Sequence, residues 1–549
     1  MTTIAELVLR QAERASPAIL FEDERASWAE FVDACAVRAA YLLDNRRPGP
    51  FHVGVLLDNV PEFPMWLGAV SLAGAAAVGI NPTRRGSELA RDIRHTDCQL
   101  IVTESRHLPL LEGLDTGVDP DRTLVVDDPG YAGMLAPYLG APPPDVTIDP
   151  SGIYLLLFTS GTSGAPKAVI CSQGRLARIG EIMVSSFGLT ETDVFYLAMP
   201  MFHSNALMAG WAPCLAAGAT AALRRRFSAS GFLADVRRYR VTYFNYVGKP
   251  LSYILATPER PEDADNTLRL VFGNEAADVD IERFATRFGC VVIDGYGSTE
   301  GGASITRSPD IPRGALGLAP PEIRVMNPET MQECPPARFD EEGHLLNPDE
   351  AIGEIVNTSG AGMFEGYYKN EEANAARLRN GWYWTGDLGY KDERGFLYFA
   401  GRDFEWLRVD GENFAAAPIE RILHRHPDVL LAAVYAVPDP DVGDRVMAAL
   451  QLRPGASFDP DGFAAFLAAQ PDLGTKWAPR FVRVSQVLPV TETNKVKKRD
   501  LRRERWECAD PVWWRPQRDA PYVRLTPADV VALRECFAAR GRLAALEAV

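Results

Sequence analysis

Thr159-Ser160-Gly161-Thr162-Ser163-Gly164-Ala165-Pro166-Lys167 is the stretch on which the reading of this chain turns. It follows Ile153-Tyr154-Leu155-Leu156-Leu157-Phe158, a continuous apolar run that predicts a buried strand. Glycines leave backbone N–H groups able to face an anion, hydroxyls donate further hydrogen bonds, and the lysine brings charge. At an effective dielectric near 20, a lysine ~4 Å from one phosphate charge gains roughly 4 kcal/mol before desolvation. The order Gly161-x-x-Gly164-x-x-Lys167 differs from the Gly-x-x-x-x-Gly-Lys-Ser/Thr loop of the common nucleotidases. Taken alone, the segment also reads as a Ser/Gly-rich surface turn.

A chain of 549 residues is too long for one core and predicts at least two domains. Its 47% apolar and 24% charged residues are those of an ordinary globular protein. A formal net charge of −16 argues against a nucleic-acid partner, because phosphate backbones would repel the chain as a whole. The eight cysteines are scattered, with no Cys-x-x-Cys pair, so neither a disulfide framework nor a zinc site is indicated and a reducing cytoplasm is expected. The first residues, Met1-Thr2-Thr3-Ile4-Ala5-Glu6, lack the basic-then-apolar pattern of a signal peptide. Residues 63–83 and 194–223 carry no Asp, Glu, Lys or Arg, yet their prolines, glycines and polar residues fit buried core better than membrane spans. No transmembrane segment is expected; surface contact with a membrane is left open, as is oligomeric state, with a homodimer among the options.

Apolar runs at 53–57, 100–103, 123–126, 242–246, 270–272 and 291–293 predict strands. Helical patterns such as 63–72 and 231–239 lie between them, giving the rhythm of βαβ units and parallel sheets in an α/β fold. The proline-rich 141–145 reads as a connector. Short strands and turns dominate 316–398, as in a small β-rich subdomain. A boundary is expected just after Gly401-Arg402, dividing the chain into 1–402 and 403–549. The second part predicts a helix at 418–424, strands at 430–437 and 482–488, a helix at 459–469 and a helical tail over 526–546.

Four further segments carry chemistry. Gly295-Tyr296-Gly297-Ser298-Thr299-Glu300-Gly301-Gly302 combines close backbone approach, an aromatic face for a purine, a hydroxyl and a hard oxygen ligand suited to Mg²⁺. A strand-to-helix turn with a solvated glutamate is the plain alternative. Trp382-Tyr383-Trp384-Thr385-Gly386-Asp387-Leu388-Gly389 places one carboxylate, able to accept from ribose hydroxyls, after three aromatics; alone it reads as a turn aspartate. Residues 401–413 begin with Gly401-Arg402 and end on the turn Gly411-Glu412-Asn413; a solvated hairpin explains them equally. Beyond the strand at 482–488, Pro489-Val490-Thr491-Glu492-Thr493-Asn494-Lys495 leads into Lys497-Lys498-Arg499: a basic helix start, or a lysine set against developing charge.

In this order and spacing, the five segments closely resemble the adenylate-forming superfamily of acyl-CoA synthetases, luciferases and adenylation domains. The likeness runs from about Phe21 to Leu501 and is greatest, at Gly411-Glu412-Asn413 and Thr493-Asn494-Lys495, to fatty-acyl-CoA synthetases of the fatty-acid transport protein and actinobacterial long-chain type. The resemblance implies a large N-terminal domain of βαβ subdomains with a β-rich subdomain, and a small mobile α+β C-terminal domain. It implies ATP, Mg²⁺ and CoA, and a carboxylic acid as the small-molecule substrate. Thr159, Ser160, Gly161, Thr162, Ser163, Gly164 and Lys167 would meet the pyrophosphate end of ATP. Tyr296 would stack on adenine, Thr299 contact the α-phosphate, and Glu300 ligate Mg²⁺. Asp387 and Arg402 would hold the ribose, Gly273-Asn274-Glu275 would line the adenine and acyl pocket, and Lys495 would be the catalytic lysine.

Three departures stand out. Asn494 replaces the usual glycine before the lysine; Phe404 occupies the hinge position, where Asp or Lys is common; Cys171-Ser172-Gln173 lies where many relatives carry a Ser-His pair after the loop. In amino-acid-activating relatives an aspartate near the position of His203 binds the ammonium group. Its absence, together with the apolar residues around Met199-Pro200-Met201-Phe202-His203, predicts a fatty or bulky apolar acid, with His203 either gating the pocket or buried as a core histidine. Transfer of the acyl group to CoA is expected, with a carrier protein or another nucleophile as the alternative acceptor.

Overall fold

The computed structural model describes residues 1–159, 167–248, 250–274, 276, 278–307, 311–312, 314–328, 330–339, 346–402, 406–409, 412–441, 443–470, 473–489, 496 and 498–547. They form two compact units, the first made of Met1–Pro82, Ser87–Phe158 and Lys167–Ala400 and the second mainly of Gly401–Val549. The fold is mixed α/β, as the alternation of apolar runs and helical patterns predicts.

In the first unit, a six-stranded sheet has the order Thr123–Val125, Cys98–Thr103, His52–Leu56, Ala76–Gly79, Ile153–Thr159, Lys167–Ser172. The first five strands run parallel. An eight-stranded sheet has the order Ser304–Thr306, Val291–Gly297, Leu270–Asn274, Tyr243–Val247, Val194–Leu197, Thr220–Leu223, Pro17–Phe21, Glu24–Ser27. It is parallel through its middle and closes at each end with an antiparallel pair. Central strands buried on both faces need continuous apolar runs, and His52–Leu56 and Ala76–Gly79 are buried at every residue.

The two uncharged stretches are core. The first is the helix Glu62–Ala73 and the strand Ala76–Gly79; the second is Val194–Leu197, a π-helical turn Ala206–Trp211, the helix Ala212–Ala217 and Thr220–Leu223. Among the described residues no helix is long and apolar enough to cross a membrane.

Charges join the two sheets. Asp58 and Glu104 lie just beyond the strands His52–Leu56 and Cys98–Thr103, while Arg225 and Arg226 lie just beyond Thr220–Leu223. Arg106 donates to Asp58 at 2.8 Å, His107 Nε2 at 3.1 Å, and Arg226 ion-pairs with it at 3.3 Å. Arg225 bonds Glu104, which accepts the Asp58 N–H at 2.9 Å. Burial would raise the Asp58 carboxyl, but His107 and Arg226 outweigh it and bring its pKa down to about 2. The ligand atoms of Asp58, Glu104 and His107 lie within 4.8 Å of one another, but arginines already neutralise the carboxylates, so the trio does not suit a cation.

The β-rich part is a six-stranded sheet: Ala315–Leu318, Phe396–Arg402, Trp382–Lys391, Gly353–Asn357 and Ile323–Met326 in order, with Leu378–Arg379 paired to Trp382–Lys391. The second unit holds a five-stranded sheet, Val429–Pro438, Asp444–Leu452, Phe481–Ser485, Val512–Trp514 and Val523–Arg524, and the hairpin Trp406–Val409 with Glu412–Ala415. Two expectations need correction. The strand predicted at 482–488 ends at Ser485. The helical tail is two helices, Pro527–Ala539 and Ala544–Glu547, because Gly541 takes a left-handed φ of 65° that breaks the ladder.

Candidate active site

The strand predicted at 291–293 continues to Gly297 and turns back as Ser304–Thr306, with Tyr296 opposite Ile305. The Gly295–Gly302 segment is therefore a strand-to-strand turn, not the strand-to-helix alternative. Ladder hydrogen bonds to Ser304–Thr306 hold the polar residues extended after the apolar run ends. Gly301 takes φ 68°, and a Cβ on Gly302 would fall 2.2 Å from the Tyr383 ring, so a side chain has no room there.

Carboxyl ends of parallel strands are where α/β sheets hold ligands. Gly273 and Asp294 are register partners in adjacent parallel strands. Asn274 Nδ2 donates to the Gly295 carbonyl at 2.6 Å, and Tyr246 OH donates to Asp294 Oδ2 at 2.5 Å. A Cβ on Gly273 would meet the Tyr246 ring and carbonyl at 2.5 Å, which reserves the position for glycine.

Tyr296 OH donates to Asp387 Oδ2 at 2.7 Å, so the aromatic face and the second carboxylate predicted from sequence share one hydrogen bond. Asp387 is not a turn residue: it is 6% exposed and lies within the strand Trp382–Lys391. Its N–H bonds Thr385 Oγ1 at 3.0 Å, and the Gly386 N–H bonds Glu354 Oε1 at 2.7 Å.

Glu300 is buried rather than solvated. Tyr367 OH donates to Glu300 Oε1 at 2.9 Å. Burial alone would raise the carboxyl, but Arg377, a backbone N–H, Tyr367 and Ser298 outweigh it and hold the pKa below the ordinary value. Glu300 is thus an ionised hard-oxygen donor. Lys167 Nζ lies 5.3 Å from the Tyr367 ring centroid, and burial, followed by Arg377, lowers its pKa against the raising effect of Glu300. Thr299 is fixed twice: Arg175 Nη2 donates to its carbonyl at 2.6 Å, and its Oγ1 shares a 2.7 Å hydrogen bond with Ser204 Oγ. Through Ser204, the turn meets the segment of His203, whose half-buried ring lies 4.4 Å from the Phe202 ring, centroid to centroid, tilted by 39°. Asn205 Nδ2 bonds the Tyr246 carbonyl at 2.9 Å, and the chain then enters the π-turn, a geometry common at functional sites.

The family is decided by comparison. A family model described as AMP-binding enzyme matches residues 8–368, and one for the AMP-binding enzyme C-terminal domain matches 418–495. The chain belongs to the AMP-binding enzyme family. It is 54% identical over 544 residues to a steroid-22-oyl-CoA synthetase of Rhodococcus jostii, covering 98% of each chain. It is 50% identical over 518 residues to a medium/long-chain-fatty-acid–CoA ligase of Mycobacterium marinum, covering 94% of this chain and 99% of that one. Among solved structures, o-succinylbenzoate CoA synthetase of Bacillus subtilis superposes with a TM-score of 0.76 at 25% identity, covering 92% of this chain and 98% of the other. The protein is an enzyme of acid–CoA ligation, and ATP and CoA are the substrates of such AMP-binding ligases.

The structure therefore brings Lys167, Thr299, Glu300, Tyr296, Asp387, Gly273 and Asn274 together in its first unit. Thr159 ends the strand Ile153–Thr159, and Arg402 ends Phe396–Arg402. Ser160, Gly161, Thr162, Ser163, Gly164, Glu275, Phe404 and Lys495 lie outside the described residues. Tyr367, Arg377 and Arg175 were not read from the sequence. Tyr367 follows a positive-φ glycine, Gly366, but no local motif connects it to a glutamate 67 positions earlier. Arg175, in the amphipathic helix Gln173–Phe187, looks like a surface residue and is 5% exposed. Cys171 also finds its account here: it is buried, which pushes its thiol up to about 12, so it packs rather than reacts. Its neighbour Ser172 caps that helix by accepting the Arg175 N–H at 3.1 Å.

Proposed function

We propose that this enzyme adenylates a bulky apolar carboxylic acid of the steroid side-chain type and passes the acyl group to CoA. The observation that carries the substrate is the 54% identity, across nearly the full length of both chains, to a protein named for steroid-22-oyl-CoA synthesis. The medium/long-chain ligases at 50% identity make fatty acids the neighbouring substrate class. Residues 1–402 serve as the ATP- and acid-binding domain, and 403–549 carry Lys495.

An acid oxygen attacks the α-phosphorus of ATP, and pyrophosphate leaves. Thr299 faces the α-phosphate, Lys167 and the loop before it the pyrophosphate end, and Asp387 with Arg402 the ribose. Lys495 bridges the acid carboxylate and the α-phosphate, countering charge as it develops. Glu300, ionised and offering oxygen, fits Mg²⁺, which when bound neutralises phosphate charge. The CoA sulfur then attacks the acyl carbonyl and AMP leaves. A second acceptor in place of CoA is favoured by one observation, Phe404 at the hinge position.

The test is pyrophosphate release with Mg-ATP across medium-chain, very-long-chain, aromatic and steroid side-chain acids, each with and without CoA. Turnover fastest with a steroid side-chain acid and requiring CoA is expected. A preference for straight chains would replace the substrate, and acid-dependent pyrophosphate with no acyl-CoA would replace the acceptor.

A further inference from the structure

Tyr367 is the meeting point of three parts of the site. Its hydroxyl donates to Glu300 Oε1 at 2.9 Å and accepts from Arg377 Nε at 3.1 Å, while Lys167 lies 5.3 Å from its ring centroid. Arg377 reaches the fourth part, because its Nη1 donates to the Trp384 carbonyl at 3.1 Å, three residues before Asp387. The same guanidinium would lie 2.6 Å from a Cβ on Gly386, so it is seated against the strand that carries Asp387.

The phenol is itself held in place. The Tyr367 N–H bonds Asn374 Oδ1 at 2.7 Å, Asn374 Nδ2 bonds the Tyr367 carbonyl at 3.2 Å, and the ring packs between Phe364 and the Lys167 side. Tyr367 is 2% exposed, so its hydroxyl has these two partners rather than water to orient it. A phenol with one lone pair committed to Arg377 has its proton directed at the carboxylate. That proton selects which Glu300 oxygen is turned inward and fixes the carboxylate plane.

We infer that Tyr367 and Arg377 are positioning residues that aim the Glu300 carboxylate and tie it to the Asp387 strand. The inference rests on the proposed metal role of Glu300. Outer partners of metal carboxylates set their orientation, and losing one typically costs about 10–100-fold in metal affinity. Tyr367→Phe isolates the effect, since it removes one oxygen and leaves the ring beneath Lys167.

The experiment measures binding of a non-hydrolysable ATP analogue to the full chain across a Mg²⁺ titration, in wild type, Tyr367→Phe, Arg377→Gln and Glu300→Gln. For Tyr367→Phe the affinity without metal should be unchanged, and the Mg²⁺ concentration for half the metal effect should rise about 10-fold. Arg377→Gln should shift the Mg²⁺ requirement in the same direction. A Tyr367→Phe titration that overlays wild type, with Glu300→Gln clearly shifted, overturns the positioning role while leaving the metal role standing. A Glu300→Gln titration that overlays wild type overturns the metal role and this inference with it. Equal losses with and without metal would mean that Tyr367 only supports the fold, which also overturns it. Circular dichroism and melting of each variant identify any failure to fold; if Tyr367→Phe fails, the Arg377→Gln titration decides by the same criteria.

Discussion

Lys495→Ala is expected to slow acid-dependent pyrophosphate release about 10²–10³-fold, the usual loss when one donor to a transition-state anion is removed. ATP binding should be largely intact, because the nucleotide contacts proposed for Lys167, Tyr296 and Asp387 belong to other segments. If the second domain withdraws this lysine before thioester formation, a preformed acyl-adenylate should still react with CoA at the wild-type rate. Rapid-quench measurement of each half-reaction separates the two steps. Adenylation at wild-type speed would remove Lys495 from its role, and equal loss in both steps would point to a structural one.

Gly302→Ala should be the most damaging small substitution in the Glu300 turn. The added carbon would sit 2.2 Å from the Tyr383 ring, which is 1% exposed and packed against Phe364 at 5.2 Å. The Gly302 carbonyl also accepts from Asn357 Nδ2 at 2.8 Å, so the backbone cannot retreat freely. Overpacking of this kind costs about 1–3 kcal/mol. Because Tyr383 shares a cluster with Phe364 and Tyr367, any relief should displace the Glu300 partner as well. A lower melting temperature together with weaker Mg-ATP binding is expected. Wild-type values of both would show that the turn is looser than its geometry.

What the sequence disclosed depended on how local the physics was. Apolar runs such as 153–158 and 270–272, which the strands Ile153–Thr159 and Leu270–Asn274 contain, were legible because the middle of a parallel strand is buried on both faces, leaving no polar alternation to confuse the pattern. Glu300 was legible as a candidate because glycines beside it announce close backbone approach, whereas Asp387 alone read as a turn aspartate and gained its role only from the resemblance of the whole motif set. Their surroundings were not legible, since Glu300 meets Tyr367 and Arg377, and Asp387 meets Tyr296, only across long stretches of chain. The return strand Ser304–Thr306 was hidden for a similar reason: three residues have too little pattern, and only pairing with Gly295–Gly297 makes them a strand. Gly541 was visible, but the helical periodicity on either side of it concealed the break.

The arginine seam between the two parallel sheets gives the first unit unequal responses to two solvent changes. Asp58 and Glu104 are 7% and 4% exposed, but the arginines that reach them are not enclosed, Arg225 being 34% and Arg226 62% exposed, so added salt screens these pairs in part. Its folded pKa, about 2 against an ordinary 3.8, means that its contribution is fully present above the ordinary value and disappears as pH falls through about 2. Concentrated salt should therefore loosen the sheets only in part, whereas strong acid removes the Asp58 charge itself and parts them. Hydrogen exchange along His52–Leu56 and Thr220–Leu223 would register the opening, and protection that fell with salt as readily as with acid would locate the bond between the sheets in their apolar contacts or elsewhere.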